Sequence, residues 1–164
     1  MEHAQSDLSH DESVARVAGL IKGLKFAMLS TTAPNGHLHS RPMTSLQTEF
    51  DGTLWFFAAK DSPLQASVEI NPEVNLAYSH PNHSYISVCG TASFSEERTK
   101  IRELWNPGLK VWFTGGVDDP GLILLKVDAH SAQYWDSPSA PMVFLKFAPP
   151  KNLRYRCGVL GKWS

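Results

Sequence analysis

The chain has 164 residues, 42% of them hydrophobic and 19% charged, so one globular domain that buries roughly two thirds of its extended-chain surface is expected. A formal charge of −1 leaves no positive surplus for a phosphate backbone, which argues against nucleic acid as the main partner, and no apolar run approaches the roughly 20 residues of a membrane span. The polar, acidic start MEHAQSDLSHDES matches neither a secretory signal nor a basic transit peptide, and Cys89 and Cys157 form no metal or redox motif, so both are read as reduced thiols of a cytoplasmic protein.

Residues 1–8 read as a lead-in without fixed structure, 9–148 as the folded domain and 149–164 as a basic tail without a clear period. Ser9 and Glu12 stand at capping-box spacing, and Val14, Val17, Ala18, Ile21 and Leu24 recur on one helical face, with Gly23 suited to the helix end. Phe26 to Thr32 reads as a strand and Pro34-Asn35-Gly36 as a turn. The stretch from His37 to Leu64 reads as a β-hairpin around Asp51-Gly52, because glycine tolerates the positive φ such turns need. A short helix follows Pro63 and stops at Asn71-Pro72. Val74 to Ser79 and Ser84 to Phe94 are strands, the second long enough for Gly90 to mark a bulge. Ser95 begins a charged helix that Pro107 ends; the aromatic cluster GLKVWFT and the loop GGVDDPG come next. Two more strands are expected, Gly121 to Ala129 and Ser131 to Trp135. Many short strands without βαβ alternation favour a mainly β, antiparallel barrel with inserted helices.

If the Asp51-Gly52 turn spans two residues, Arg41 faces Ser62 and Met43 faces Lys60, which gathers a guanidinium, a hydroxyl and loop amides into an anion cradle. Two readings of Arg41 stay open: an ion pair with a carboxylate such as Glu49 or Asp61, or a ligand phosphate. Most aromatics belong to a core, while Trp112 and Trp135, each beside a loop, are the candidates for stacking on a planar ligand. His37 and His39 share a strand face without a third metal ligand at a telling spacing, and His80 and His83 flank a turn, so no metal site is expected. No dinucleotide fingerprint, phosphate loop or nucleophile elbow is present, and Cys89 reads as a small core residue.

The segments SRPMT, DGTLWFFAAKDS, NPEVNLAYS, ISVCGTASFSEERTKIRELWNP and VWFTGGVDDPGLILLKVDAHSAQYWDSP, in this order and spacing, resemble the general stress protein group of the pyridoxamine-phosphate-oxidase-like FMN-binding split barrels. The resemblance covers about residues 10–140. It implies a six-stranded antiparallel split β-barrel of Greek-key type, a cytoplasmic homodimer, and a flavin, FMN with FAD as the alternative, in a cleft built from both subunits. By the same resemblance Arg41 contacts the FMN phosphate, and Pro42, Met43 and Thr44 line the isoalloxazine. Phe57 and Ala58 lie beside the cofactor, and Ser62 is the phosphate-loop serine. Trp135 approaches from the partner chain, and Trp112 makes a contact of the same kind. Leu64 stands where many relatives have a phosphate-pairing lysine, a loss of about 1–3 kcal/mol that implies either partial flavin occupancy or compensation by Lys60, and an apolar residue there leaves room for a larger flavin such as FAD. The arginine and histidine that hold substrate phosphate in true pyridoxamine phosphate oxidases are missing from DSPSAPMVF, so that activity is not expected. The resulting expectation is a flavin-dependent oxidoreductase of unspecified substrate. The alternatives are a flavin sensor or carrier without turnover, or a split barrel using deazaflavin or haem.

Overall fold

The computed structural model describes residues 4–5, 8–46, 49–81, 84–136 and 141–147. Its first elements are strand β1 (Ala4–Gln5) and helix α1 (His10–Ile21). The capping box forms as the spacing predicts. Ser9 N–H donates to Glu12 Oε2 at 2.8 Å and Glu12 N–H donates to Ser9 Oγ at 3.3 Å; the Ser9 hydroxyl, which donates to Glu12 Oε2 at 2.7 Å, and then the Ser9 N–H hold the Glu12 carboxyl below its usual pKa. Gly23 closes the helix at a φ of +80°.

The first hairpin lies earlier in the chain than the Asp51-Gly52 signal suggests. Strands β2 (Phe26–Thr32) and β3 (Leu38–Thr44) pair antiparallel, from Phe26 opposite Thr44 to Thr32 opposite Leu38. Their connection is the Pro34-Asn35-Gly36 turn, closed by Ala33 N–H to His37 O at 2.8 Å. The expected hairpin between β3 and β4 (Thr53–Ala59) does not form. Instead β4 pairs antiparallel with β7 (Leu122–Trp135), so Arg41 lies opposite Leu29 and Met43 opposite Ala27, not Ser62 and Lys60. Asp51-Gly52 does turn the chain: Thr53 N–H donates to Asp51 Oδ1 at 3.0 Å and Gly52 has a φ of +105°. Buried Phe50 nevertheless anchors the end of the connection from β3 to β4, its ring meeting that of Phe147 at 5.9 Å. Leu54, Phe56, Phe57 and Ala58 are all buried, and burial against Leu122–Leu125 on both faces outweighs a local turn preference.

Helix α2 (Pro63–Ile70) follows, then β5 (Glu73–Ser79) and β6 (Tyr85–Ser95), which pair antiparallel. Helix α3 (Arg98–Leu104) and a 3₁₀ turn (Pro107–Val111) lead into β7. The two late strands expected on either side of His130 are one strand. His130 is an extra residue inserted between Ala129, opposite Gly90, and Ser131, opposite Cys89. The bulge that Gly90 signals is therefore real, with the inserted residue on the partner strand. A Cβ at Gly90 would stand 2.6 Å from Val127 Cγ1 and 2.7 Å from the Asp128 carbonyl oxygen, so glycine is required for this approach.

Strand β8 (Val143–Lys146) pairs with the far half of β7, and β1 adds to it in parallel. Both strands went unread in the sequence, and β1 falls inside the lead-in for which no fixed structure was expected. The tail 149–164, with Cys157, and His83 lie outside the described residues.

The fold is mainly β. The sheet runs β1-β8-β7-β6-β5-β2-β3 with β4 on the other edge of β7. Six of its strands thus follow the order β3-β2-β5-β6-β7-β4, and the two outermost, β3 and β4, are not hydrogen-bonded to each other. That gap is the split of the barrel. A main core fills the interior, and a second cluster of Phe57, Ile101, Leu109, Leu122 and Leu124 holds α3 and the 3₁₀ turn against the outside of β4.

Candidate functional site

The gap between β3 and β4 holds a cavity of about 140 Å³. Pro42, Met43 and Thr44 contribute one wall, Phe57 the second, and Leu109, Trp112 and Phe113 of the α3–β7 connection the third. Period-two alternation explains how β4 serves both sides. Phe57 points outward to the second cluster, where it meets Trp105 edge-on at 5.8 Å and Phe113 at 6.3 Å, while Ala58 points into the main core. The rings fix Phe57, and Trp112, 61% exposed, forms a rim that solvent reaches.

Arg41 adjoins this wall on β3. It is partly buried, and its Nη1 donates to the hydroxyl of Thr31 at 3.0 Å; Thr31 itself is buried on β2. Burial lowers the Arg41 pKa, since desolvation penalises the charged form. Among the described residues no carboxylate lies within 4.0 Å of the guanidinium, and neither Glu49 nor Asp61 pairs with it. A half-buried cation whose one side-chain partner here is a neutral hydroxyl is electrostatically incomplete, and an anion would complete it.

The other expected site residues divide. Ser62 is the N-cap of α2, its Oγ accepting from Gln65 N–H at 3.3 Å, and the preceding Asp61 takes a φ of +57° with its N–H donating to Gln65 Oε1. Leu64 faces the main core, as does Ala58, so what either can offer a ligand is its backbone. Lys60 pairs with Glu96, its Nζ at 2.8 Å from the carboxylate, and this partner raises its pKa. Trp135 ends β7 eleven residues beyond Leu124, the partner of Phe57, which is roughly 35 Å of strand. Within one chain it does not join the cavity.

Thr31, Leu109 and Phe113 were missed in the sequence. Thr31 alternates with Ala27 and Leu29 on the buried face of β2, a pattern that announces burial but not an arginine partner. Leu109 and Phe113 sit in a segment whose aromatic content signalled a cluster without placing it. Among the described residues no group of three or more His, Cys, Asp or Glu side chains converges, and His37 and His39 are exposed.

Comparison with known proteins agrees with this architecture. A family model described as "Pyridoxamine 5'-phosphate oxidase like" matches residues 12–151. The crystal structure of a general stress FMN/FAD binding protein from Xanthomonas citri is 30% identical, superposes with a TM-score of 0.67, and the match covers 88% of this chain and 99% of that one. General stress protein 26 from Bacillus anthracis is 28% identical at a TM-score of 0.67, covering 83% of this chain and 97% of that one. Protein bli-3 of Neurospora crassa is 28% identical over 135 residues, 76% of this chain; the match spans 65% of the length of that relative. The protein belongs to the pyridoxamine 5'-phosphate oxidase-like family and has its split-barrel fold.

Proposed function

We propose that this protein binds a flavin mononucleotide, with the phosphate on Arg41 and the ring system in the β3/β4 cavity. The observation that carries the reading is the state of Arg41: half-buried, desolvated, tethered to Thr31, and with no carboxylate within 4.0 Å among the described residues. The surrounding chemistry fits a planar ring with a phosphorylated tail. The walls are apolar and aromatic, and the strand edges at the gap leave backbone donors and acceptors free for the polar rim of the ring. A relative that is 30% identical carries FMN/FAD binding in its name, which supports the same ligand class.

A cavity of about 140 Å³ is smaller than the roughly 300 Å³ at which ligand pockets begin, so a second copy of the chain supplies the missing wall in this reading. Trp135, remote from the cavity of its own chain, is then free to approach that of a partner. A bound flavin supplies one- and two-electron redox chemistry. This chain's residues position it: Arg41 holds the phosphate, Phe57 and Met43 support the ring, and Trp112 limits solvent access. With Lys60 engaged by Glu96 and Leu64 turned inward, one fixed cation carries the phosphate. Vitamin B6 oxidase activity is not proposed, since residues 136–144 carry neither arginine nor histidine.

Among the described residues the cavity lining contains no titratable side chain. That specifically favours a second reading, a flavin sensor or carrier without turnover, over an enzyme that needs its own general base. Stopped-flow mixing of the flavin-loaded protein with a nicotinamide cofactor separates them: rapid bleaching of the flavin band indicates an oxidoreductase, and a persistently oxidised band indicates binding alone. The binding proposal is tested by fluorescence titration with FMN and with riboflavin. Arg41→Ala should weaken FMN at least tenfold and leave riboflavin nearly unchanged. Equal effects on both ligands, or none, would remove the phosphate role.

A further inference from the structure

A larger cavity shares no lining residue with the flavin cavity proposed above. It measures about 640 Å³ and is bounded by the C-terminal end of α1, the connection from β3 to β4, β4 and β5. Leu24, Leu46, Phe50 and Leu54 give it apolar walls, while Lys22 and Glu49 are exposed on its border.

Three features set this cavity apart from a packing defect. Among the described residues the hydroxyl of Tyr78, 3% exposed, lines it without a hydrogen bond of good geometry, and the buried Oγ of Ser45, near enough to lower the Tyr78 pKa a little, also lines it and likewise makes none. Native proteins leave few buried polar atoms unsatisfied, so two in one cavity point to something that completes them. The third feature is Gly19. A glycine inside a helix is unfavourable, yet here it borders the cavity, and a Cβ built on it meets nothing within 4 Å. A larger side chain at that position would have room to grow over the opening.

We propose that this cavity is a second ligand site, for an uncharged and mainly apolar molecule bearing one oxygen, such as a phenol or an alkanol. Its oxygen would pair with the Tyr78 and Ser45 hydroxyls and its body would lie against Leu24, Phe50 and Leu54. The volume is far above the roughly 30 Å³ share of a single water, and four of its walls offer water no partner. A charged head is disfavoured because the interior polar groups are neutral hydroxyls, which replace the hydration of an ion poorly.

Amide shift perturbation of the labelled full chain with p-cresol, and with toluene as the analogue lacking oxygen, tests this. Saturable shifts at Gly19, Leu24, Leu54 and Tyr78 are expected, with p-cresol binding about tenfold tighter than toluene, the worth of one buried hydrogen bond. Gly19→Met should weaken p-cresol at least tenfold by filling the opening, whereas Gly19→Ala should leave it within about twofold, which separates blockage from a general change in α1. Tyr78→Phe should bring p-cresol to the toluene level. Absence of saturable shifts, p-cresol binding that Gly19→Met does not alter, or a high-resolution structure with p-cresol in which waters alone bridge Ser45 and Tyr78 would each overturn the proposal. None of these outcomes bears on FMN binding, which Arg41→Ala reads independently.

Discussion

In the reading proposed above, one hydrogen bond, from Arg41 to Thr31, makes a strand arginine a directed anion receptor. The Thr31 hydroxyl engages Nη1 at 3.0 Å and, among the described residues, no other side chain bonds the guanidinium fork. Thr31→Val keeps the shape and the burial but removes the acceptor. FMN affinity is expected to fall about three- to tenfold, with Thr31→Ser restoring it and riboflavin unaffected in both variants, as read by fluorescence titration. Tyr78 makes a different prediction. Burial pushes its phenol up to about 12, against a smaller lowering from the nearby Ser45 hydroxyl. The folded state thus holds this proton more tightly than the unfolded chain, whose tyrosine titrates near ~10. The resulting stability is fully present below about pH 10 and is lost as pH rises from about 10 to about 12, a change on the order of 2–3 kcal/mol. Urea denaturation should show the wild type losing stability over that window more steeply than Tyr78→Phe; identical slopes would mean the phenol is not desolvated.

At the scale of elements, the decisive one is β7. Its fourteen residues serve two sheets' worth of partners: β4 on one edge of the first half, β8 on that edge of the second, and β6 along the other edge throughout. The inserted His130 marks the change of partner, and its Nε2 lies 3.1 Å from Glu73 Oε2, tying the bulge to the start of β5. Gly90 makes the opposing approach possible. Gly90→Ala would drive a methyl group against the Asp128 carbonyl, a backbone atom that cannot step aside, so a loss of about 1–3 kcal/mol is expected in chemical denaturation. A stability within ~0.5 kcal/mol of the wild type would show that the bulge relaxes freely.

For the whole molecule, the question is what covers the outer face of the sheet. On β2, Ala27 and Leu29 are buried, while the alternate residues Phe26 and Met28 are 56% and 43% exposed. Apolar residues on both faces of a strand belong to a sheet that is covered on both sides. Together with the missing wall of the cavity proposed to hold flavin, this is the ground on which we propose a symmetric dimer in which one face serves both purposes. Sedimentation of the wild type should give a dimer. Met28→Asp should give a monomer with FMN affinity reduced tenfold or more, since a buried, unpaired carboxylate at such a face is costly. A folded monomeric variant that retains full FMN affinity would separate the cavity from the dimer.

What could be read in the chain alone was whatever local chemistry decides. The capping box at Ser9 and Glu12, the glycine stop at Gly23, the strands β2, β5 and β6 and the glycine-marked bulge are short-range effects, and each is found as read to within a residue. The ordered motifs likewise carried the family. Strand partnership was decided elsewhere. Asp51-Gly52 is a sound turn signal, yet β3 and β4 part company there because β4, apolar on both faces, gains more by packing on β7, a strand that begins 63 residues after β4 ends at Ala59. The same competition decided the site. It left β3 and β4 unbonded, set Phe57 and Pro42 across a shared cavity, placed Thr31 rather than Glu49 beside Arg41, and put Lys60 on Glu96. Local propensity specifies what each segment is, whereas long-range burial specifies which segments meet, and it is the meeting that makes a binding site.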